Sequence, residues 1–188
     1  MNNKKALEAL IERTSCPRLI EPAPTKEQLE LLIKAALRAA DHASLTPWRF
    51  VVVGGEKRNE FGEILLESAK IKNPEMGLAQ QKKIRQKPLR APMILTAICE
   101  PKEHPKVPKW EQELSTAAAC QNIINASYMM GIGAYWRTGS AIFSPQVKAY
   151  FNVSETGSII GFIYLGTPFK AMKKSMKSHN WQQFISYQ

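Results

Sequence analysis

Three short clusters in this chain hold the residue types that bind a charged ligand. Arg13-Thr14-Ser15 sets a guanidinium beside two hydroxyls near the start of the chain. Arg38, Asp41, His42, Ser44 and Thr46 gather just before Pro47-Trp48 and the apolar run Phe50–Val53. Trp136-Arg137-Thr138 repeats the pairing of cation and hydroxyl far downstream, behind an indole. A cation with neighbouring hydroxyls suits a phosphate, because the guanidinium fork and the O–H groups all donate to its oxygens. A small polar loop between an apolar helix and an apolar strand is where folds place ligand contacts. A plain helix–strand connection with an aromatic plug would give the same pattern.

Other chemistries lack their residues. His42, His104 and His179 lie far apart, and none has a cysteine or carboxylate at metal-ligand spacing. No G-x-S-x-G elbow or G-x-x-x-x-G-K-[ST] loop occurs. Gly131-Ile132-Gly133 follows a helix, and Trp136 stands where a dinucleotide fingerprint needs its third glycine. Glu111 and Glu113 read as the polar start of a long helix, which the helix dipole favours. Such a chain suits an enzyme whose cofactor carries the reaction.

The elements that must position these clusters follow from periodicity and punctuation. Ala6, Leu7, Leu10 and Ile11 predict a short helix leading to Arg13, which Cys16-Pro17 stops. Thr25 with Gln28 is a capping-box pair before a helix of Leu29, Leu32, Ile33, Ala36, Leu37 and Ala40. That helix delivers Arg38 and His42 near its end. Phe50–Val53 and Met93–Cys99 read as buried strands, with a helix through Phe61, Ile64, Leu65 and Ser68 between them. The polar stretch 72–90 has no clear period and is a candidate lid or a surface excursion. From Glu111 the longest helix begins, with Leu114, Ala117, Ala118, Gln121, Ile124, Asn125 and Tyr128 on one stripe, at a core or dimer seam. Gly131 suits its C-terminal stop. A strand Ala134–Trp136, a helix from Ser144-Pro145 to Tyr150 and a strand Ile159–Leu165 complete the order, which fits helices packed on a small mixed sheet.

At 188 residues, with 44% hydrophobic and 22% charged residues, the chain reads as one domain, 1–188, whose residues 169–188 form a basic C-terminal extension. Glu8 interrupts the first apolar stretch and argues against a signal peptide, no run reaches membrane-spanning length, and Cys16, Cys99 and Cys120 form no C-x-x-C pair, so a reducing cytoplasm is expected. The net charge of +10 fits a phosphorylated cofactor or general solvation. Its lysines show no nucleic-acid motif, so neither nucleic acid nor membrane is an expected partner.

In order and spacing, four blocks resemble the FMN-dependent nitroreductase family, most closely its small single-domain bacterial NAD(P)H nitroreductases. They are IERTSCPRL, LRAADHASLTPWRFVV, KVPKWEQELSTAAACQNI with GIGAYWRTG, and IIGFIYLGTP, spanning roughly Ile11 to Pro168. The resemblance implies an α+β fold, a central mixed but mainly antiparallel sheet flanked by helices, and a homodimer with FMN between the subunits. It implies that Arg13, Thr14 and Ser15 form the first FMN-binding segment, that Arg38 and His42 reach the partner subunit's FMN, and that Trp136, Arg137 and Thr138 lie beside the flavin ring. It associates the helix end Ala126, Ser127, Tyr128, Met129, Met130 and Gly131 with the nicotinamide nucleotide. The implied reaction is two-electron transfer from NADH or NADPH through FMN, by a ping-pong mechanism, to an electron-poor acceptor such as a nitroaromatic or quinone. No catalytic side chain is implied, with Arg137 tuning the flavin, and no metal.

Two departures stand out. Thr46 takes the place of the Asn or Gln often found before Pro-Trp, and no arginine follows Gly166-Thr167-Pro168, leaving Lys170 or Lys173 as substitutes. Dehydrogenation or dehalogenation on the same fold, and a flavin-free nucleic-acid-binding protein, are the alternatives carried forward.

Overall fold

The computed structural model describes residues 3–172 and 179–188. Its spine is β5 (Ser158–Pro168), flanked by β3 (Met93–Cys99) on one side and β4 (Gly133–Arg137) on the other. The strand β2 (Trp48–Gly54) adds to β3, and the short β1 (Leu19–Ile20) pairs with the end of β5. Every ladder is antiparallel.

Alternate residues of a strand face opposite sides, so one sheet serves two cores. Ile94, Ile98, Phe162 and Tyr164 meet Phe61, Leu65, Ile84, Val147 and Phe151, from α3 (Lys57–Lys72), α4 (Leu78–Arg85) and the region of α6 (Pro145–Tyr150). Leu95, Ala97, Ile163 and Leu165 meet Leu32, Ala36, Ala119, Cys120 and Ile123, from α2 (Lys26–Ala36) and α5 (Lys109–Met129). The helix α1 (Asn3–Glu12) leans on α5.

Local signals act as their chemistry predicts. The hydroxyl of Thr25 accepts from the Gln28 N–H at 3.2 Å while the Gln28 side chain accepts from the Thr25 N–H at 2.9 Å, closing the capping box. Ser144 caps α6 ahead of Pro145. Gly131 takes φ +72° just past the end of α5, where a side chain would be strained.

Three expectations are corrected. The strand β2 is an edge strand, pairing only with β3, so of its residues only Val53 is buried. The buried face of α5 is Gln112, Ser115, Thr116, Ala119, Cys120, Ile123, Ile124 and Ser127. Of the expected stripe only Ile124 belongs to it, while Leu114, Ala117, Ala118 and Gln121 lie outside it and Leu114 is exposed. Small polar side chains hid the buried face, since Thr116 and Ser127 donate back to the Gln112 and Ile123 carbonyls and so enter the core paired. Finally, 72–90 is no structureless lid. It contains α4, anchored by buried Met76, Ile84 and Pro88, and Gly62 of α3 leaves room for the Arg85 backbone.

One irregularity bears on the site. Between Ala97↔Gly161 and Ile98↔Ile159 the β3–β5 register slips, and Ile160 is the extra residue of a bulge. A side chain at Gly161 would collide with the Trp136 indole, whose Nε1 donates to the Ile160 carbonyl at 3.4 Å.

Candidate functional site

Arg137 ends β4, two residues after Tyr135 and therefore on the same face, with Tyr164 paired across from Tyr135 on β5. Its guanidinium carbon lies 4.2 Å from the Tyr135 ring centre and 5.1 Å from that of Tyr164, close enough for both rings to hold the cation. Around it opens a cavity of about 370 Å³ with Phe61, Leu65 and Phe162 in its apolar lining, and Lys87, Arg90, Thr138 and Ser140 as polar groups.

Arg90 and Arg137 also line a neighbouring cavity of about 520 Å³ with Arg18 and Phe169. Arg18 and Phe169 in turn line a third, of about 300 Å³, together with Thr14, Ser15 and Lys170. The shared walls make one track from the Thr14–Ser15 hydroxyls to Arg137. The N-terminal segment is held beside β4 by the Cys16 N–H, which donates to the Ala134 carbonyl at 2.9 Å.

The electrostatics of this track are one-sided. No aspartate or glutamate lines any of the three cavities. Among the described residues Arg18, Lys87, Arg90 and Arg137 form no ion pair, and the buried Nε of Arg137 has no hydrogen-bond partner. Burial pushes the Lys87 ammonium below its ordinary range, and Arg90, Lys83 and Arg137 push it further. Burial raises the Tyr164 phenol, which Arg137 and Arg90 offset only in part. A roomier depression of about 780 Å³ lies elsewhere, between the 101–109 loop and Thr156. Its Gln112 is already spent on the loop backbone, bonding the Lys102 N–H and carbonyl at 2.9 and 2.8 Å.

Of the residues expected from sequence, the track unites Thr14, Ser15, Trp136, Arg137 and Thr138. Arg13 is half-buried directly before Thr14 but lines none of the three cavities. Arg38 and His42 lie at a separate corner. There Arg38 is exposed, and the His42 Nδ1 is 2.8 Å from a Glu111 carboxylate oxygen at the start of α5. In that loop Ala43, Ser44 and Thr46 all take positive φ (60°, 53° and 48°), and the Thr46 N–H donates to Asp41 at 2.6 Å. The Thr46 hydroxyl accepts from the Lys102 ammonium at 3.3 Å, a bond that turns it to this corner.

The segment Ala126–Gly131 is a helix ending and lines none of the three cavities. Ser127 is fully buried with its hydroxyl bonded to the Ile123 carbonyl, and the Met130 and Gly131 N–H groups close the last turn. Lys170 does share the cavity of Thr14 and Ser15, whereas Lys173 lies outside the described residues. Lys87, Arg90 and Arg18 were not singled out from sequence. Lys87 and Arg90 sit in an aperiodic stretch whose only signal was positive charge without nearby acids.

Comparison with known proteins agrees on the family. The Nitroreductase family pattern matches residues 10–167. The protein named "Putative NAD(P)H nitroreductase YdjA" of Escherichia coli (strain K12) is 40% identical over 182 residues, covering 97% of this chain and 98% of that one. A Haemophilus influenzae protein of the same description is 32% identical over 187 residues, with 97% and 98% coverage. Among solved structures, the nitroreductase-like family protein of Bacillus cereus superposes with a TM-score of 0.81 at 20% identity, over 97% of this chain and 95% of that one. A Desulfovibrio desulfuricans protein of this fold, solved in complex with FMN, gives a TM-score of 0.73 at 17% identity, over 97% and 96% of the two chains.

Proposed function

This chain belongs to the nitroreductase family, and from that premise we propose that it is an FMN-dependent NAD(P)H oxidoreductase whose cofactor lies along the track from Thr14 to Arg137. The observation that carries the reading is the unpaired cationic wall, above all the buried Arg137 Nε without a partner. Its donors suit a phosphorylated flavin. Thr14, Ser15, Arg18 and Lys170 offer hydroxyls and cations to a phosphate, and the aromatic floor and Arg137 suit a flat ring with a polar edge. Held there, FMN would supply two-electron chemistry, taking a hydride from NADH or NADPH and delivering it, in two successive half-reactions, to an electron-poor acceptor such as a quinone or a nitroaromatic, where a nitro group, one hydride and one proton would give nitroso and water.

The residues of the chain bind, orient and tune. Tyr135 and Tyr164 hold the Arg137 guanidinium in place before any ligand arrives, so little reorganisation is needed when negative charge develops beside it. Thr138 and Ser140 offer hydroxyls at the mouth. Arg38 and His42, outside the track of their own chain, serve a site completed by a second copy. The outward stripe of α5, with Trp110 and Leu114 exposed and small Ala117 and Ala118 following them, is the seam we assign to that homodimer. No helix among the described residues is long and apolar enough to cross a membrane. Free Cys16, Cys99 and Cys120 suit a reducing cytoplasm.

The test is the purified protein's visible spectrum, followed by release of the cofactor with acid or heat. Stoichiometric FMN in the supernatant supports the reading, and light scattering should give about twice the chain mass of 21.2 kDa. A colourless protein that binds no added FMN overturns it.

A further inference from the structure

The positive charge along the track exceeds what one flavin phosphate can answer, and the surplus is not evenly placed. Arg18 and Lys170 stand with the Thr14 and Ser15 hydroxyls at one end, a complete set for a phosphate. Lys87, Arg90 and Arg137 form a second centre at the other end. Within that centre Arg137 is half-buried between two tyrosines, whereas Lys87 and Arg90 are exposed at the rim. The cationic neighbours Arg90, Lys83 and Arg137 all disfavour the Lys87 charge, so an anion entering beside it relieves a repulsion already present. With the floor of Phe61, Leu65 and Phe162 given to the flavin, the rim is what remains to meet an acceptor, and it carries a demand for charge.

Resting on the flavin reading above, we propose that the acceptor favoured by this site is an aromatic compound that carries a negative charge, a carboxylate or sulfonate, received by Lys87 and Arg90. Arg137 remains with the cofactor. The phosphorylated nicotinamide nucleotide is also an anion, so the test must separate it from the acceptor.

Benzoate and benzamide have nearly the same shape, differ in charge and accept no electrons here. Their dissociation constants are measured on the flavin-loaded protein, by perturbation of the bound flavin's absorption, without nicotinamide nucleotide. Benzoate should bind about tenfold more tightly at low ionic strength, as expected for one hydrogen bond to a charged group. The advantage should shrink as KCl is raised, while benzamide is indifferent to salt. Lys87→Gln and Arg90→Gln should each reduce the benzoate-to-benzamide ratio several-fold, and the KM for 4-nitrobenzoate should rise relative to that for 4-nitrobenzamide.

Equal binding of the two probes, or a preference that survives both substitutions combined, overturns the inference. So does a result in which the variants shift only the choice of NADPH over NADH. A protein that holds FMN and passes electrons from NAD(P)H to a neutral quinone, yet ignores charge, contradicts this inference alone. A protein that holds no FMN contradicts the reading beneath it.

Discussion

Arg49 and Arg137 are both half-buried arginines, each on a strand with a single neighbour, and the fold treats them in opposite ways. Arg49 of β2 is paired: one of its terminal nitrogens lies within hydrogen-bond distance of Glu100 at 2.8 Å and of the Phe151 and Asn152 carbonyls at 3.0 and 2.9 Å. The other Glu100 oxygen accepts from the Ser154 hydroxyl and N–H, so the cluster ties the end of β3 to the turn after α6. Arg137 of β4 rests on two tyrosines with no carboxylate in reach and a buried nitrogen unpaired. A buried polar group left open is costly, and unlike the Thr96 hydroxyl, which is also unpaired but enclosed in the core, the Arg137 guanidinium borders a cavity. On the function proposed above, the first arginine serves stability and the second the cofactor.

Substitutions should separate the two, beginning with the largest effect. Arg49→Ala removes one partner of Glu100, which keeps Ser154, and opens two carbonyls, and should cost about 2 kcal/mol in chemical denaturation. Flavin content per folded protein should be unchanged. A variant that keeps its stability but loses its flavin would reverse the comparison.

Gly161→Ala probes the backbone that carries the functional side. The added methyl meets the Trp136 indole and the Arg137 carbonyl, so β4 must shift. We expect a loss of about 2 kcal/mol, typical of overpacking, together with weaker flavin binding. Stability falling while flavin affinity holds would mean that Arg137 is placed independently of the bulge.

Glu100 sharpens the structural side through pH. Burial opposes its ionisation, but the Ser154 hydroxyl, Arg49 and the Ser154 N–H outweigh that and hold the carboxyl below its usual range. Its contribution is therefore present above the ordinary carboxylate value of about 4.3 and is lost as pH falls through the lower folded value. Urea midpoints should decline in that acid window. Glu100→Gln should start lower at pH 7 and show a flatter decline. An equally steep decline in the variant would move the effect to other carboxylates.

Arg137→Ala should have the smallest effect on stability, within about 1 kcal/mol, since it loses ring contacts but also removes an unpaired buried nitrogen.

How far this division could be read in advance depended on the signal each part leaves in sequence. Strand β3 and helix α6 fall where the apolar run 93–99 and the Ser144-Pro145 pair place them, because burial and capping are local chemistry. The chemistry of Trp136-Arg137-Thr138 was legible as residue type and resemblance, and the track does bring it together with Thr14 and Ser15. The buried face of α5 was not, since Ser115, Thr116 and Ser127 look like surface residues until they pack against the sheet. Lys87 and Arg90 were missed for a related reason. They ride on a short 3₁₀ turn after α4, with no period to announce it, and only the fold carries that turn to β4. The Arg49–Glu100 clamp joins residues far apart in sequence, a pairing that no local pattern encodes.

The most direct test of Arg137's role is a redox titration of Arg137→Ala beside the parent protein and Arg49→Ala, with FMN occupancy measured on the same samples. A guanidinium at the ring edge stabilises the reduced, negatively charged flavin more than the oxidised one, by about 1.5–3 kcal/mol for a hydrogen bond to a charged group. Arg137→Ala should have a lower reduction potential and slower reduction by NAD(P)H, with most FMN retained through Thr14, Ser15 and Arg18, and Arg49→Ala an unchanged potential. Arg18→Ala should differ from both by losing FMN affinity first, because it stands with the Thr14 and Ser15 hydroxyls. An unchanged potential in fully occupied Arg137→Ala would contradict the account, because the open arginine would then not face the cofactor.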